Sequence, residues 1–474
     1  MSFASIYAQW VTLHSLVVVC GLSTYAVMSH LFRQRRHPSA AIAWVISIAL
    51  FPYVALPLYL LLGTRKVSSR QTRRLTHTVV GAAPHETNFE GRFHALAEAL
   101  GAPSVTSYVG LRIHSDGGEA LSSLLSVIQG ASHSVDVCTF LLGGDMLGQQ
   151  VISALAKKSV EGVKVRLLID GIGIYLGGKL DLKSLRAAGV HVQLFVSPWR
   201  SMLPGRTNLR NHRKMVIADG NRLWTGGRNL AAEYFLGDPA SRPPKTAWTD
   251  LTFEVTGDLA KQGQVQFNQD WAFAAKVPRE GSGRLSHTVS EHLAANARRA
   301  QWIPSGPDQV DDTVYALLIS SCFSAQSRIL AVTPYFVPDT TLLMALTLAA
   351  RRGVQVDLIL PRRSNHRLAD IARHAALREL ATAGAHIGMF AGMIHAKVVV
   401  IDGELALAGT ANLDERSLFL NYELMVAFFD SLAVERFASW IETQKRLTTV
   451  YRSKSPRFLG ALGEGLVRSV AFQL

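Results

Sequence analysis

Two copies of one short pattern contain the residues of this chain that are best suited to chemistry. Each copy reads His-x-Lys-x4-Asp, and the six residues concerned are His212, Lys214, Asp219, His395, Lys397 and Asp402. A Gly-x-x-Asn sequence follows each copy at a similar distance and ends at Asn229 in the first case and at Asn412 in the second. One such pattern arises easily by chance. Its duplication, together with the asparagines, predicts a site assembled from two similar halves.

Converging histidines, lysines and asparagines would form a compact cationic pocket that suits a phosphodiester. Lysine and asparagine side chains can bind the non-bridging oxygens and the charge that builds in the transition state. One imidazole can attack phosphorus to give a phosphohistidine, while the other protonates the leaving alkoxide and later deprotonates the acceptor. Because the lysines supply positive charge, this chemistry needs no metal ion and no cofactor. We also expect Thr410 to offer a hydroxyl to the phosphate, whereas Gly227 stands at the matching place of the first half.

Each motif is predicted to continue into a buried strand that turns back at an Asp-Gly pair. Met215 to Ile217 and Val398 to Ile401 are apolar and mostly β-branched, which is typical of buried strands. Side chains alternate along a strand, so the histidine and lysine of each motif should share one face, and the return strand brings the asparagine back to them. Asp219 and Asp402 lie roughly 16 Å beyond their lysines on an extended strand. We therefore expect these two carboxylates to hold the turn.

The carboxylate that orients each histidine is predicted to come from a later strand. Asp250 is the candidate partner of His212, and Glu423 is the candidate partner of His395. Both assignments keep the carboxylate and the histidine in the same half of the chain.

Two similar series of strands and helices surround the motifs. The predicted strands are residues 134–140, 162–170, 328–336 and 353–361, and the predicted helices are residues 146–161 and 340–352. This alternation predicts an α/β fold in which two sandwich halves each contain a mixed sheet. The halves are placed at residues 105–275 and 306–474, with linkers at residues 65–104 and 276–305 that each include a short helical stretch. The tail from residue 458 onward could lie on a membrane or pack on the body.

Two uncharged apolar stretches near the N-terminus are each long enough to cross a bilayer as a helix. They run from Trp10 to Phe32 and from Ala40 to Gly63, so residues 1–64 are predicted to form two membrane-spanning helices. Pro52 and Pro57 leave open a kinked or re-entrant second segment. Basic residues follow both stretches, and the positive-inside rule therefore only leans toward a cytoplasmic body.

The net charge of +14 and the pI of about 9.9 indicate an anionic partner, either nucleic acid or an acidic membrane surface. The apolar stretches favour the membrane. The three cysteines, Cys20, Cys138 and Cys322, are scattered without a C-x-x-C pair. They are expected to be buried thiols instead of zinc ligands or a disulfide framework.

The duplicated motif resembles the phospholipase D superfamily, and further segments resemble its bacterial cardiolipin synthases. Those segments are Asn208–Lys214, Thr333–Asp339, Asn412–Ser417, Asn421–Glu423, Ala43-Trp44 and Leu58–Gly63. Departures are modest. Thr410 stands where the family usually has serine, and Thr249 stands where it commonly has arginine.

The resemblance implies two phospholipase D-like αβα sandwich halves related by a pseudo-twofold axis, behind a transmembrane helical hairpin. It implies a multi-pass phosphatidyltransferase of the bacterial inner membrane with its catalytic body on the cytoplasmic face. Such an enzyme moves the phosphatidyl group of one phosphatidylglycerol to another and releases glycerol, so its partner is anionic membrane lipid and not nucleic acid. By this resemblance His212 is the nucleophile and His395 the general acid and base, although the symmetry of the motifs permits the reverse.

Two alternatives remain open on the sequence. A membrane-bound hydrolase of the same superfamily would differ only in using water as the acceptor. A non-catalytic protein that binds anionic lipid would have no need of both complete His-Lys pairs.

Overall fold

The computed structural model describes residues 3–31, 38–63, 88–196, 208–239, 241–242, 244–277, 298–309, 311–453, 456, 460, 463–465 and 467 of the chain. Its helices are α1 (Phe3–Leu31), α2 (Pro38–Leu50), α3 (Pro52–Leu62), α4 (Phe89–Ala99), α5 (Gly117–Gln129), α6 (Met146–Val160), α7 (Gly173–Leu176), α8 (Leu182–Ala187), α9 (Asp258–Ala275), α10 (Thr313–Ser324), α11 (Thr340–Arg351), α12 (Arg367–Thr382), α13 (Glu415–Phe419) and α14 (Ser431–Lys445). Its strands are β1 (Thr106–Ser107), β2 (Val109–His114), β3 (Ser134–Thr139), β4 (Lys164–Asp170), β5 (His191–Phe195), β6 (Met215–Ala218), β7 (Arg222–Gly226), β8 (Thr252–Thr256), β9 (Arg299–Ser305), β10 (Arg328–Val332), β11 (Phe336–Val337), β12 (Gln355–Pro361), β13 (His386–Phe390), β14 (Val398–Ile401), β15 (Leu405–Gly409), β16 (Leu413–Asp414), β17 (Glu423–Phe428) and β18 (Thr448–Val450).

The strands form two large mixed sheets, one for each motif, and a small sheet of β11 and β16. The first has the order β2-β8-β7-β6-β3-β4-β5, and the second has the order β1-β9-β17-β15-β14-β10-β12-β13-β18. In each, three parallel strands adjoin the antiparallel hairpin that follows the motif. The predicted elements around the motifs are confirmed, except that the strand expected at residues 328–336 ends at Val332. Pro334, which has no N–H to donate to a neighbouring strand, follows this end.

The inner faces of the two sheets share one apolar core. Met215 and Ile217 of β6 belong to the same buried cluster as Val398 and Val400 of β14. Other clusters fill the space between the first sheet and α5 and α6, and between the second sheet and α10, α11 and α12. The strand after each motif is therefore buried on both faces, as its apolar sequence predicts. The α/β fold with two similar halves is confirmed.

The linker predicted for residues 276–305 is too long at its C-terminal end. Residues 299–305 form β9, which pairs with β17 and places Trp302 and Ile303 in the core. The short strand β1 pairs with β9 as well, so residues 106 and 107, which the prediction assigned to the first half, complete the sheet of the second. The predicted helix in the other linker is confirmed as α4. The helical stretch expected before β9 lies outside the described residues.

The apolar N-terminal region forms three helices. Helix α1 contains a span of 20 residues, Trp10–Ser29, with a mean hydropathy of 1.7, and this length suffices to cross a bilayer. The second apolar stretch is divided at Phe51, whose φ of −132° and ψ of 54° are not helical, directly before Pro52. The resulting helices α2 and α3 have 13 and 11 residues. Each falls short of the roughly 20 residues that a crossing requires.

Helix α3 folds back along α2. The ring of Tyr59, near the end of α3, lies 5.3 Å from Trp44 of α2 and 5.1 Å from Tyr25 of α1. Tyr53, at the start of α3, lies 5.8 Å from His14 of α1. Helix α3 therefore runs in the same direction as α1, and α2 runs against both. The predicted single helix over the second apolar stretch is wrong, because the stretch forms two shorter helices that lie against each other. How these helices meet a membrane stays a prediction.

The remaining sequence predictions concern the tail and the cysteines. Glu464 forms an ion pair with Arg378 of α12, and Val467 packs against a small apolar cluster on the same helix. The described part of the tail thus lies on the body. Cys138 and Cys322 are buried as predicted, whereas Cys20 on α1 is exposed.

Candidate active site

Main-chain bridges between the halves bring the two motifs together. Asn211, before the first histidine, pairs with Tyr422 of the second half, and Ile394, before the second histidine, pairs with Thr249 of the first. The main-chain N–H of His212 donates to the carbonyl of Tyr422 at 2.9 Å. In the same way, the main-chain N–H of His395 donates to the carbonyl of Thr249 at 2.7 Å. The residue before each motif histidine is therefore bridged to a residue of the other half that lies just before a strand.

These bridges exchange the carboxylates between the halves. Nδ1 of His395 lies 2.7 Å from Oδ2 of Asp250, and Nδ1 of His212 lies 3.3 Å from Oε1 of Glu423. The predicted pairing is therefore wrong: each carboxylate lies beside a motif histidine, but beside that of the opposite half. Asp250 and Glu423 directly follow the bridging residues, so each is carried to the histidine of the opposite motif.

The lysines lie beside their histidines, on the shared face that strand alternation predicts. Nζ of Lys214 donates to the carbonyl of His212 at 2.7 Å. Nζ of Lys397 lies 2.8 Å from Nδ1 and 2.9 Å from Nε2 of His395. The second motif therefore packs more tightly around its imidazole, and the exposed fraction of the side chain is 7% for His395 against 22% for His212.

Burial favours neutral imidazoles in the resting site. Burial, followed by the positive charge of Lys397, lowers the pKa of His395 to about 4, whereas the negative charge of Asp250 acts to raise it. Burial also lowers the pKa of His212, because it outweighs the attraction of Glu423. For both carboxylates burial acts to raise the pKa, but the neighbouring histidine and lysine outweigh it and keep the pKa low. Each imidazole can thus donate its Nδ1 proton to an ionised carboxylate and present the lone pair of Nε2.

Lys397 gives a prediction for the dependence of stability on pH. Burial lowers the pKa of its ammonium group to about 7, so between pH 7 and about 10.5 the unfolded chain binds a proton that the folded chain does not. The buried charge therefore destabilises the fold at pH 7 and below, and this penalty disappears as the pH rises toward 10.5. We expect Lys397→Met to raise the free energy of unfolding at pH 7 by about 1–3 kcal/mol.

Thermal unfolding in detergent from pH 7 to 10 measures this effect. The gain of Lys397→Met over the wild type should shrink steadily with increasing pH. The exposed Lys157→Met is the control, with an expected change within about 0.5 kcal/mol at every pH. A gain that is constant over the range would contradict the prediction.

The hydroxyl of Thr410, predicted to contact the phosphate, is hydrogen-bonded within the protein. This residue is 1% exposed, and its hydroxyl donates to Oε2 of Glu423 at 2.6 Å. The hydroxyl oxygen of Thr410 also accepts a hydrogen bond from the N–H of Leu424 at 2.9 Å. The proton of this hydroxyl is already used to hold the carboxylate that faces His212. Thr410 is therefore a positioning residue.

The two asparagines are buried next to their motifs. Nδ2 of Asn412 donates to Oγ of Ser417 at 2.9 Å, and Asn229 forms a hydrogen bond with Tyr234. The Oδ1 atoms of both have no hydrogen-bond partner among the described residues. Contact of either asparagine with a phosphate stays a prediction.

Several residues around the histidines were missed at the sequence level. Nδ2 of Asn421 lies 3.2 Å from Nδ1 of His212 and 3.3 Å from Oε1 of Glu423. The ring of Phe140 lies 4.2 Å from that of His212. The ring of the second motif histidine lies 5.0 Å from Tyr234 and 5.6 Å from Trp248. Two of these had a signal, since Asn421 belongs to a segment that resembles the cardiolipin synthases and Trp248 adjoins Thr249, where that family commonly has arginine.

The motif aspartates hold turns, in agreement with the expectation. Asp402 accepts the N–H groups of Gln326, Ser327 and Arg328 at 2.7 to 2.9 Å. Asp219 accepts the matching N–H groups of residues 132–134 at 2.7 to 2.8 Å. Both have a positive φ, of 57° and 52° respectively, which aspartate and asparagine tolerate better than most residues.

A substitution at Asp402 should therefore change stability and not chemistry. Asp402→Ala removes the acceptor of three main-chain N–H groups and should cost about 1–3 kcal/mol of unfolding free energy. The rate per folded molecule should stay near that of the wild type. Asp402→Asn keeps an acceptor oxygen and should lose less. Unfolding and activity are to be measured on the same preparations, and a large loss of activity in stable Asp402→Ala would contradict this role.

One buried histidine and one half-buried histidine, each with a lysine beside it and an ionised carboxylate from the opposite half, form a site suited to phosphodiester chemistry. The comparisons with known proteins agree with this class. A family model described as cardiolipin synthase, phospholipase D-like domain, matches residues 124–271 and 318–445. A second model, described as phospholipase D-nuclease N-terminal, matches residues 21–63.

Similar proteins cover most of the chain. Cardiolipin synthase 2 of Bacillus anthracis is 30% identical over 435 residues, which span 88% of this chain and 82% of the relative. Cardiolipin synthase A of Pseudomonas fluorescens is 31% identical over 433 residues, which span 86% and 85%. The crystal structure of phosphatidylserine synthase from Haemophilus influenzae covers 81% of this chain and 100% of its own, with a TM-score of 0.59 and 14% identity, and so supports the fold alone. The chain belongs to the cardiolipin synthase family of the phospholipase D superfamily.

Proposed function

We propose that this chain is a cardiolipin synthase that transfers the phosphatidyl group of one phosphatidylglycerol to a hydroxyl of another and releases glycerol. The observation that carries the proposal is the pair of histidines whose Nδ1 atoms face carboxylates across the two halves. Nε2 of His212 then serves the phosphorus, and Nε2 of His395 exchanges its contact with Nζ of Lys397, at 2.9 Å, for the leaving or attacking oxygen. Family membership supports a phosphatidyltransferase, and the substrate is a phospholipid.

In the first step, Nε2 of His212 attacks phosphorus, and the bond from phosphorus to the headgroup glycerol oxygen breaks. The larger exposure of His212 suits the nucleophile, which must reach the phosphorus. His395 gives a proton to the leaving oxygen. The phosphate anion beside the pocket favours the protonated imidazole that this step requires. Lys214 and Lys397 stabilise the charge on the non-bridging oxygens.

In the second step, His395 takes the proton of the acceptor hydroxyl. The acceptor oxygen then attacks phosphorus, and the bond to Nε2 of His212 breaks, which restores both imidazoles. A glycerol hydroxyl as the acceptor gives cardiolipin, whereas water gives phosphatidic acid. The choice of acceptor therefore separates the synthase from a hydrolase of the same superfamily.

Product analysis tests the proposal. Purified full-length protein in phosphatidylglycerol vesicles should form cardiolipin and glycerol in equal amounts, as measured by mass spectrometry. His212→Ala and His395→Ala should each reduce the rate by at least about 1,000-fold. Phosphatidic acid as the main product would establish the hydrolase, and binding to vesicles without turnover would leave a lipid-binding protein.

We also propose that α1 crosses the bacterial inner membrane, alone among the helices described above, and that α2 and α3 enter and leave on the same side. The support is the packing of Tyr59 against both Trp44 and Tyr25, which puts the end of α3 beside the end of α1. Basic residues follow both ends in the sequence, namely Arg33, Arg35, Arg36, Arg65, Lys66 and Arg70. With this topology all of them lie on the cytoplasmic face, which agrees with the positive-inside rule.

Labelling of single cysteines tests this topology in intact cells. In a Cys20→Ser background, Ser2→Cys, Gln34→Cys and Ser68→Cys are treated with a membrane-impermeant maleimide. We expect Ser2→Cys to react from outside, and the other two to react only after permeabilisation. Two spanning helices with a cytoplasmic body predict the opposite result for Ser2→Cys and Gln34→Cys, so that pattern would overturn the proposal.

A further inference from the structure

Arg213, the middle residue of the first motif, is completely buried and contacts both halves. Its Nη1 donates to Oδ1 of Asp270 on α9 at 2.5 Å. Its Nη2 donates to the carbonyl of Ser305 at 3.0 Å and lies 3.3 Å from Oδ1 of Asp308. Its Nε donates to the carbonyl of Glu423 at 3.0 Å. Three of these four partners belong to the second half, so one side chain joins the first motif to the strand ends of the opposite sheet.

The second motif has no counterpart of this arginine. Ala396 occupies the matching place and is also completely buried. The guanidinium of Arg213 further lies 5.3 Å from the ring of Tyr422, which bridges to Asn211. The first histidine therefore receives a cross-half support that the second does not.

The contacts of Glu423 explain why His212 needs this support. The carboxylate is held by Thr410 and Asn421, and its distance to His212, 3.3 Å, is longer than the 2.7 Å of the other pair. Its main-chain oxygen is held by Arg213. Arginine suits this task because its planar fork donates in several fixed directions at once, which a lysine does not.

We propose that Arg213 is a positioning residue for the nucleophilic half of the site, which fixes the main chain of Glu423 so that the carboxylate stays within reach of Nδ1 of His212. This inference rests on the proposed function, since it concerns attack by His212 on phosphorus. Loss of the arginine should slow formation of the phosphohistidine and leave its resolution by His395 unchanged.

The experiment uses a phosphatidyl ester of p-nitrophenol, whose leaving group needs no proton. The rapid release of p-nitrophenol reports attack by His212, and the decay of preformed phosphohistidine after addition of phosphatidylglycerol reports the second step. We expect Arg213→Lys to slow the first step by about 10- to 100-fold and to leave the second within twofold. In the variant, the acidic limb of the pH–rate profile of the first step should also move to lower pH. The reason is that Glu423 acts to raise the pKa of His212, and this effect weakens when the carboxylate is no longer held in place.

Arg373→Lys is the matched control. Arg373 is a buried arginine that donates to the carbonyls of Pro361 and Arg362 and pairs with Asp370. The Arg373→Lys variant should be less stable than the wild type, but the rates of both steps should not change. If Arg213→Lys does not fold, Asp308→Asn removes one acceptor of the same guanidinium and should slow the first step by a smaller factor.

An unchanged first step, or an equal slowing of both steps, would overturn the role of Arg213. Failure of the proposed function has a different signature, because the wild type would then form no cardiolipin: a hydrolase would release p-nitrophenol and give phosphatidic acid, and a lipid-binding protein would release no p-nitrophenol.

Discussion

Asp250→Asn should reproduce the defect of His395→Ala, and Glu423→Gln should reproduce that of His212→Ala. Each carboxylate faces the histidine of the opposite half, at 2.7 Å and 3.3 Å respectively. An amide in its place is unable to stabilise the imidazolium and can hold the wrong tautomer, which in a related catalytic arrangement costs about 10,000-fold. We expect losses of about 100- to 10,000-fold in turnover for both variants.

The p-nitrophenyl ester distinguishes the two defects. Asp250→Asn should release one equivalent of p-nitrophenol per site and then stall, because His212 is intact and His395 fails to activate the acceptor. Glu423→Gln should show no burst. Pairing within each half predicts the reverse pattern, and observation of that pattern would show that the exchange of carboxylates does not occur in solution. As a control for folding, both variants should unfold at the same temperature as the wild type.

Gly227→Ala should inactivate the enzyme although it adds only one methyl group. A Cβ atom on Gly227 would lie 2.1 Å from Oδ1 of Asp250, far inside van der Waals contact. The carboxylate would have to move away from His395, and a displacement of about 1 Å in such a site costs about 100-fold in rate. We therefore expect a loss of at least about 100-fold in kcat.

Gly403→Ala makes the same chemical change in the turn after the second motif, where a Cβ atom would meet no atom within 4 Å. Its kcat should stay within about twofold of the wild type. Both variants are compared in cardiolipin formation at saturating phosphatidylglycerol, with unfolding temperature as a second readout. Normal activity of Gly227→Ala would mean that Asp250 tolerates another position and does not orient His395.

Local patterns in the sequence were sufficient for the motifs and the strands around them. The hairpins at Asp219-Gly220 and Asp402-Gly403 depend on residues a few positions apart, so strand propensity and turn chemistry predicted them. The turn-holding role of Asp402 followed from its distance along the strand. These features need no knowledge of how the halves meet.

Features that depend on contacts between distant segments were predicted less well. Asp250 and Glu423 both lie beside a motif histidine, but which histidine each faces depends on bridges between Thr249 and Ile394 and between Asn211 and Tyr422. No local spacing encodes such bridges. Thr410 was assigned to the phosphate because the position of the buried carboxylate next to it is a tertiary property. The position of β9 was hidden in the same way, since its partner β17 lies more than a hundred residues away.

The exchange of carboxylates has a consequence for how the two halves can change over time. A substitution at Asp250 in the first half impairs the histidine of the second, and a substitution at Glu423 impairs the histidine of the first. Neither half can lose this carboxylate and leave the histidine of the other half supported. A substitution at either position is therefore exposed to selection on the activity of both halves. Residues 248–250 should therefore vary in concert with residues 393–395 across the family, more strongly than with residues 210–212 of their own half.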